Sequence, residues 1–90
     1  MIVVRAVLCP DPDAFLGWCQ SHGYVAVGDG AESVSGTRIA IRVVRATDLD
    51  GVTVDRVDYA VDFWRKGERG VMLALEALAR TRLRSSRVKP

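Results

Sequence analysis

Residues 9–23, CPDPDAFLGWCQSHG, carry the clearest helix start and stop signals in the sequence. Asp11 can accept hydrogen bonds from the free amides of a first turn, Pro12 suits the first helical position, and Gly23 suits termination. Apolar residues recur here at a spacing of three and four, which predicts one buried helix face. A β-branched apolar run precedes the helix, so residues 2–8 are predicted to form a strand. The sequence therefore predicts a β-α unit.

Three further strands are predicted in the middle of the sequence. Those at 24–28 and 37–46 flank a glycine-rich loop, and the second alternates between an apolar and a more polar face. The TDLDG segment is typical of a turn. Apolar and polar residues alternate over 54–66, which favours a strand and leaves a helix as the alternative.

A helix is predicted over 68–84, because ERGVMLALEALARTRL is rich in strong helix formers. The element order is then β-α-β-β-β-α. This order predicts an α+β two-layer sandwich, with a mainly antiparallel four-stranded sheet and both helices on one face. Residues 1–84 are expected to form a single compact domain, and residues 85–90 a basic, frayed tail.

The size and composition of the chain limit what kind of protein it can be. Ninety residues, 49% of them hydrophobic, are enough for one modest core. No apolar run approaches the roughly 18 residues of a membrane span, and no signal peptide is evident, so a cytoplasmic protein without membrane contact is expected. Cys9 and Cys19 are interpreted as reduced thiols. The preference for Arg over Lys indicates a GC-rich genome, bacterial or viral.

The net charge of +2 is unevenly distributed. Residues 1–79 hold eight basic and eleven acidic residues, whereas residues 80–90 hold five basic residues and no acidic ones. Such a basic arm is typical of contact with nucleic acid or an acidic surface, although a solvated helix end explains it equally well.

The segment DFWRKGERG, residues 62–70, places a tryptophan beside basic residues at the predicted start of a helix. Free amides at a helix start attract anions, and an aromatic ring can stack on a base or anchor a protein contact. The segment nevertheless favours a structural joint between two elements over a binding site, because its glycines and Glu68 suit the end of one element and the start of the next. The predicted partner-binding residues are Trp64, Arg65, Lys66 and Arg69. The predicted nucleic-acid-binding residues are Arg65, Lys66, Arg69, Arg80, Arg84 and Arg87.

Two nucleic-acid-binding families share features with this chain. The α-β-β-β-α order over residues 11–84, with basic residues opening the last helix, resembles the double-stranded-RNA-binding domain. The Gly-x-x-Gly of GERG resembles the loop of KH domains, but this loop carries Glu68, and Lys66 stands where that family has an aliphatic residue. Both resemblances imply binding to nucleic acid.

Catalytic and metal-binding residues are harder to identify in this sequence. Cys19 and His22 lie three apart on the predicted helix and could form a thiol or metal site, but the paired spacing of zinc ligands is missing. Asp48, Asp50 and Asp55 fit turn chemistry better than a cation site. No catalytic residues, metal or cofactor are therefore predicted.

The function expected from the sequence is contact with another protein. A small non-enzymatic regulatory protein, such as an inhibitor or adaptor of a phage or mobile element, fits a chain with edge strands and few catalytic groups. Its partner is another protein or a second copy in a homodimer, which would bury additional apolar area. Nucleic-acid binding through the arginine cluster and the basic arm is the alternative.

Overall fold

The computed structural model describes residues 3–60 and 68–84, which form a five-stranded mixed sheet with two α-helices. The strands are β1 Arg5–Leu8, β2 Val25–Val27, β3 Gly30–Glu32, β4 Arg38–Val43 and β5 Arg56–Tyr59. The helices are α1 Pro12–His22 and α2 Arg69–Arg80, and a short 3-10 turn spans Ala46–Leu49. The predicted α+β class is confirmed.

The sheet has the strand order β2-β3-β4-β1-β5. β1 pairs in parallel with both β4 and β5, whereas β2, β3 and β4 pair antiparallel. The predicted mainly antiparallel four-stranded sheet is therefore wrong in strand number and in direction. The reason lies in β1, where Ala6, Val7 and Leu8 are fully buried. A strand that is apolar on both faces fits the interior of a sheet, between parallel neighbours.

The two helices pack on opposite faces of the sheet, so the predicted two-layer arrangement is wrong. Phe15 and Trp18 of α1 pack in a cluster with Val7. Leu75 of α2 packs in a second cluster with Ala6 and Leu8. Successive residues of a strand point to opposite faces, so each helix covers one face of β1.

The capping residues of α1 behave as predicted. The Ala14 amide donates to Asp11 Oδ1 at 2.9 Å, and Gly23 ends the helix in a left-handed conformation with φ 74°. Gly17 is an exposed helix position with open space around it, rather than a point of close packing on the sheet.

Helix α2 is shorter than predicted. It ends at Arg80, and the backbone beyond turns back to pair with the segment before β5. The Val54 amide donates to Arg82 O at 2.9 Å, and the Arg84 amide donates to Val54 O at 2.7 Å. These bonds hold residues 81–84 against the sheet, so a continuing helix is excluded. Val71 of α2 is exposed.

One further sequence expectation is corrected at the strands, and another is confirmed. The glycine-rich loop contains β3, so residues 11–84 have the order α-β-β-β-β-α and do not reproduce that of the double-stranded-RNA-binding domain. The preference for a strand over 54–66 is confirmed at β5, whereas residues 61–67 lie outside the described part of the chain. The predicted tail, 85–90, lies outside it too.

No helix within 3–60 and 68–84 has the length and apolar character needed to cross a membrane.

Candidate functional site

An open cleft of about 400 Å³ lies where the end of α1 meets the beginnings of β1 and β5. It is placed by the fold rather than by any one segment, since its residues come from three separate parts of the chain. The residues that line it are Arg5, His22, Tyr24, Arg56, Val57 and Asp58.

Two arginines stand side by side in this cleft. Arg5 and Arg56 are register partners on the neighbouring parallel strands β1 and β5, so their side chains leave the same face of the sheet, with strands about 4.8 Å apart. Arg5 is half-buried and Arg56 is exposed. Within residues 3–60 and 68–84, neither guanidinium forms an ion pair or hydrogen bond with another side chain. The cleft therefore concentrates positive charge.

Aromatic rings form the wall of the cleft on the α1 side. The His22 ring stacks on Trp18 with centroids 4.3 Å apart and lies 5.9 Å from the Tyr24 ring. His22 Nδ1 lies 2.9 Å from the Trp18 carbonyl oxygen. Because a carbonyl only accepts, Nδ1 carries the hydrogen in this contact, and the bond fixes the orientation of the imidazole.

Among the described residues, Asp58 is the one acidic residue that lines the cleft, and hydrogen-bond donors already hold its carboxylate. The indole nitrogen of buried Trp18 donates to Oδ2 at 3.3 Å, and the Tyr59 amide donates to Oδ1 at 2.8 Å. Asp58 makes no ion pair with Arg5 or Arg56. Its role inside the domain is to join α1 to β5.

A second candidate surface lies at the far edge of the sheet. β2 is an edge strand, and its residues Val25 and Val27 are 51% and 45% exposed. Ala26 pairs with buried Ala31 of the α1-side cluster, so the two valines point to the opposite face, the α2 side. On that side α2 packs over β1, β5 and the 3-10 turn, which leaves the valines uncovered.

Of the residues predicted to contact a partner or nucleic acid, those that the structure describes line neither the cleft nor the β2 edge. Trp64, Arg65, Lys66 and Arg87 lie outside the described residues. Arg69 is the exposed first residue of α2. Arg80 bonds to Glu76 at 2.9 Å, and Arg84 lies 3.7 Å from Asp55. The last two arginines therefore have intramolecular acidic partners.

The thiol and metal site considered at Cys19 and His22 does not form. Cys19 is buried in the α1-side cluster, whereas His22 is exposed and stacks on Trp18. Cys9 is also buried, and burial raises the pKa of its thiol to about 12 and raises that of Cys19 as well. The two cysteines are not bonded to each other. No cluster of three or more potential metal ligands occurs in the described part of the chain.

Asp48 has the turn role that the sequence predicted, whereas Asp55 makes a contact with a residue far away in the sequence. Asp48 Oδ2 accepts from the amides of Val44 and Arg45, at 2.9 and 3.1 Å, and so closes the 3-10 turn. Asp55 Oδ2 accepts from the Val4 amide at 2.9 Å.

Sequence reasoning missed the cleft because its two arginines are far apart along the chain. One signal was available: Arg5 interrupts the otherwise apolar run VVRAVL. A charge within a buried strand needs a partner or a route to solvent. That Arg56 is the neighbour of Arg5 follows from the parallel pairing of β1 with β5, and no local sequence pattern predicts this pairing.

Comparisons with protein-family models, with curated proteins and with solved structures find no match to this chain.

Proposed function

We propose that this chain is a small, non-enzymatic regulatory or accessory protein that acts by binding another protein. The observation that carries the proposal is the β2 edge, where two half-exposed valines lie beside a strand edge that pairs with no other strand in the described part of the chain. A second copy of the chain is the partner that this surface fits most simply, because an edge strand can pair with its own symmetry mate.

The chemistry of the β2 edge supports contact with a protein. The valines lie two residues apart, so they project from the same face and form one apolar strip. An added strand would gain main-chain hydrogen bonds from β2 and cover these side chains at the same time.

Light scattering over a range of protein concentrations tests the proposal on the whole chain. The wild type is expected to shift towards a dimer as concentration rises. The double variant Val25→Asp, Val27→Asp is expected to stay monomeric, because dimerisation would bury its new carboxylates without partners. Val34→Asp is the matched control, since Val34 is 92% exposed and lies in the loop after β3.

A pull-down from a bacterial lysate tests for a partner other than a second copy of the chain. The baits are the wild type, the double variant and Val34→Asp. A protein retained by the wild type and by Val34→Asp, but lost with the double variant, would place that partner on β2. A strictly monomeric wild type, with no retained protein that depends on the two valines, would rule out the β2 edge as the binding surface.

Nucleic-acid binding remains the alternative proposal, and the exposed position of Arg69 at the start of α2 supports it. The test is a gel shift at low salt with RNA and with DNA, where any affinity should fall steeply as salt is added. A truncation that removes the basic arm should begin after Arg84, because Arg82 and Arg84 bond to the backbone of Val54. No complex at low salt would end this alternative.

A further inference from the structure

We propose that the cleft between α1 and the β1–β5 strand pair binds the phosphate group of a small organic molecule. This site lies on the α1 side of the sheet, whereas the exposed valines of β2 point to the α2 side, so the two surfaces are separate. Each proposal can therefore fail without affecting the other.

The pairing of Arg5 with Arg56 is the first argument for a bound anion. Like charges directly opposite each other on neighbouring strands are destabilising, and no carboxylate in the described ranges pairs with either guanidinium. An anion held between them removes that repulsion. A phosphate monoester carries a charge of about −1.5 to −2 at neutral pH, so it matches two arginines better than a single carboxylate does.

The geometry of arginine favours the same ligand. Each guanidinium presents donors in a planar fork that can bind two phosphate oxygens at once. Two such forks on adjacent strands can hold three oxygens of one phosphate.

The rest of the cleft is suited to an organic portion attached to the phosphate. Its volume of about 400 Å³ falls in the range of roughly 300–1,000 Å³ that is typical of small-molecule sites. The rings of His22 and Tyr24 offer apolar faces beside the arginines. Asp58 lies two residues after Arg56 on the same face of β5, where its carboxylate can accept a hydrogen bond from a ligand hydroxyl or amine.

Titrations followed by two-dimensional nitrogen–proton NMR test the proposal on the full chain. The probes are adenosine monophosphate, inorganic phosphate and sodium acetate, each in a phosphate-free buffer. We expect both phosphates to shift the amide signals of Arg5, Tyr24 and Val57, and adenosine monophosphate to bind more tightly because it adds a ring. Acetate should bind more weakly than either phosphate.

Variants distinguish a specific phosphate site from general electrostatic attraction of phosphate to a basic protein. Arg5→Gln and Arg56→Gln should each weaken phosphate binding by about tenfold to a hundredfold, the usual effect of losing a charged hydrogen-bond donor. Arg45→Gln is the matched control, because Arg45 is exposed and lies beyond the opposite end of β4, so affinity should not change. Far-ultraviolet circular dichroism checks that each variant is folded.

Asp58→Asn gives a test in the opposite direction. The single oxygen of Asn can still accept from the Trp18 indole, although the bond from the Tyr59 amide is then lost. The variant removes a negative charge from the cleft, so its phosphate affinity should rise when it is folded. The proposal is overturned by an absence of shifts at Arg5, Tyr24 and Val57 at millimolar probe. Equal losses of affinity in Arg56→Gln and Arg45→Gln, or weaker phosphate binding by a folded Asp58→Asn variant, would also overturn it.

Discussion

Replacing Gly30 with alanine should destabilise the protein, because β3 passes too close to β4 for a side chain at this position. A Cβ atom on residue 30 would lie 2.7 Å from the Ala40 carbonyl oxygen and 2.8 Å from Arg38 Nη2. The Arg38 side chain is exposed and can move away, at the expense of its 2.8 Å ion pair with Asp29. The Ala40 oxygen belongs to the backbone of a paired strand, so the sheet itself must shift.

The size of the effect follows from two opposing terms. Overpacking of this kind costs about 1–3 kcal/mol. Replacing glycine also lowers the entropy of the unfolded chain, which returns about 0.4–1 kcal/mol. At the middle of both ranges we therefore expect a net loss of about 1.3 kcal/mol in the free energy of unfolding. Each kcal/mol lost should lower Tm by about 4–8 °C in a domain of this size.

Urea unfolding followed by circular dichroism measures this loss, and Gly17→Ala is the matched control. Gly17 lies inside α1, where an added Cβ would meet nothing within 4 Å, so the same substitution should stabilise the protein by about 0.5–1 kcal/mol. The two variants thus have opposite expected signs. Equal or greater stability of Gly30→Ala than of the wild type would refute the close approach of β3 to β4.

Two further predictions concern ionisable groups. Burial raises the pKa of Cys9 from 9.0 to about 12, so between these pH values its thiol stays protonated in the folded protein while it ionises in the unfolded chain. The free energy of unfolding should therefore fall as pH rises from 9.0 towards 12. Urea titrations should show a smaller fall for Cys9→Ala. The hydrogen bond from Tyr59, followed by that from Arg80, lowers the pKa of Glu76 in the folded protein. The ionised Glu76 therefore stabilises the fold at any pH above the pKa that Glu76 has in the unfolded chain. This stabilisation is lost as pH falls through the pKa of Glu76 in the folded protein. Tyr59→Phe should therefore raise the pKa of Glu76, measured by NMR titration of its carboxyl carbon, whereas an unchanged value would contradict the contact.

The parts of the fold that were predicted correctly depend on local sequence. The caps of α1 at Asp11 and Gly23 use hydrogen bonds and backbone angles set within a few residues, so they can be read directly. The strand at β5 follows from alternation, which is also local. Helix α2 was found for the same reason, and only its end was misplaced, because the pairing of residues 82–84 with Val54 is a long-range contact.

The parts that were missed depend on contacts between distant residues. β3 has the sequence Gly-Ala-Glu, which has little strand propensity, and it is a strand because its neighbours β2 and β4 supply the hydrogen bonds. The parallel position of β1, the opposite placement of the helices and the cleft itself all follow from pairings that join residues far apart in the chain. The predicted cluster at Trp64, Arg65 and Lys66 stays a prediction.

The central position of β1 also affects the order in which the domain can assemble. Strands β2, β3 and β4 can pair as soon as they are synthesised, since their partners are adjacent in sequence. β1 must wait for β4 on one side and β5 on the other, and its flanking contact from Val4 to Asp55 joins residues 51 positions apart. Closing such long loops slows folding, so the most deeply buried strand of the sheet remains exposed until late in synthesis.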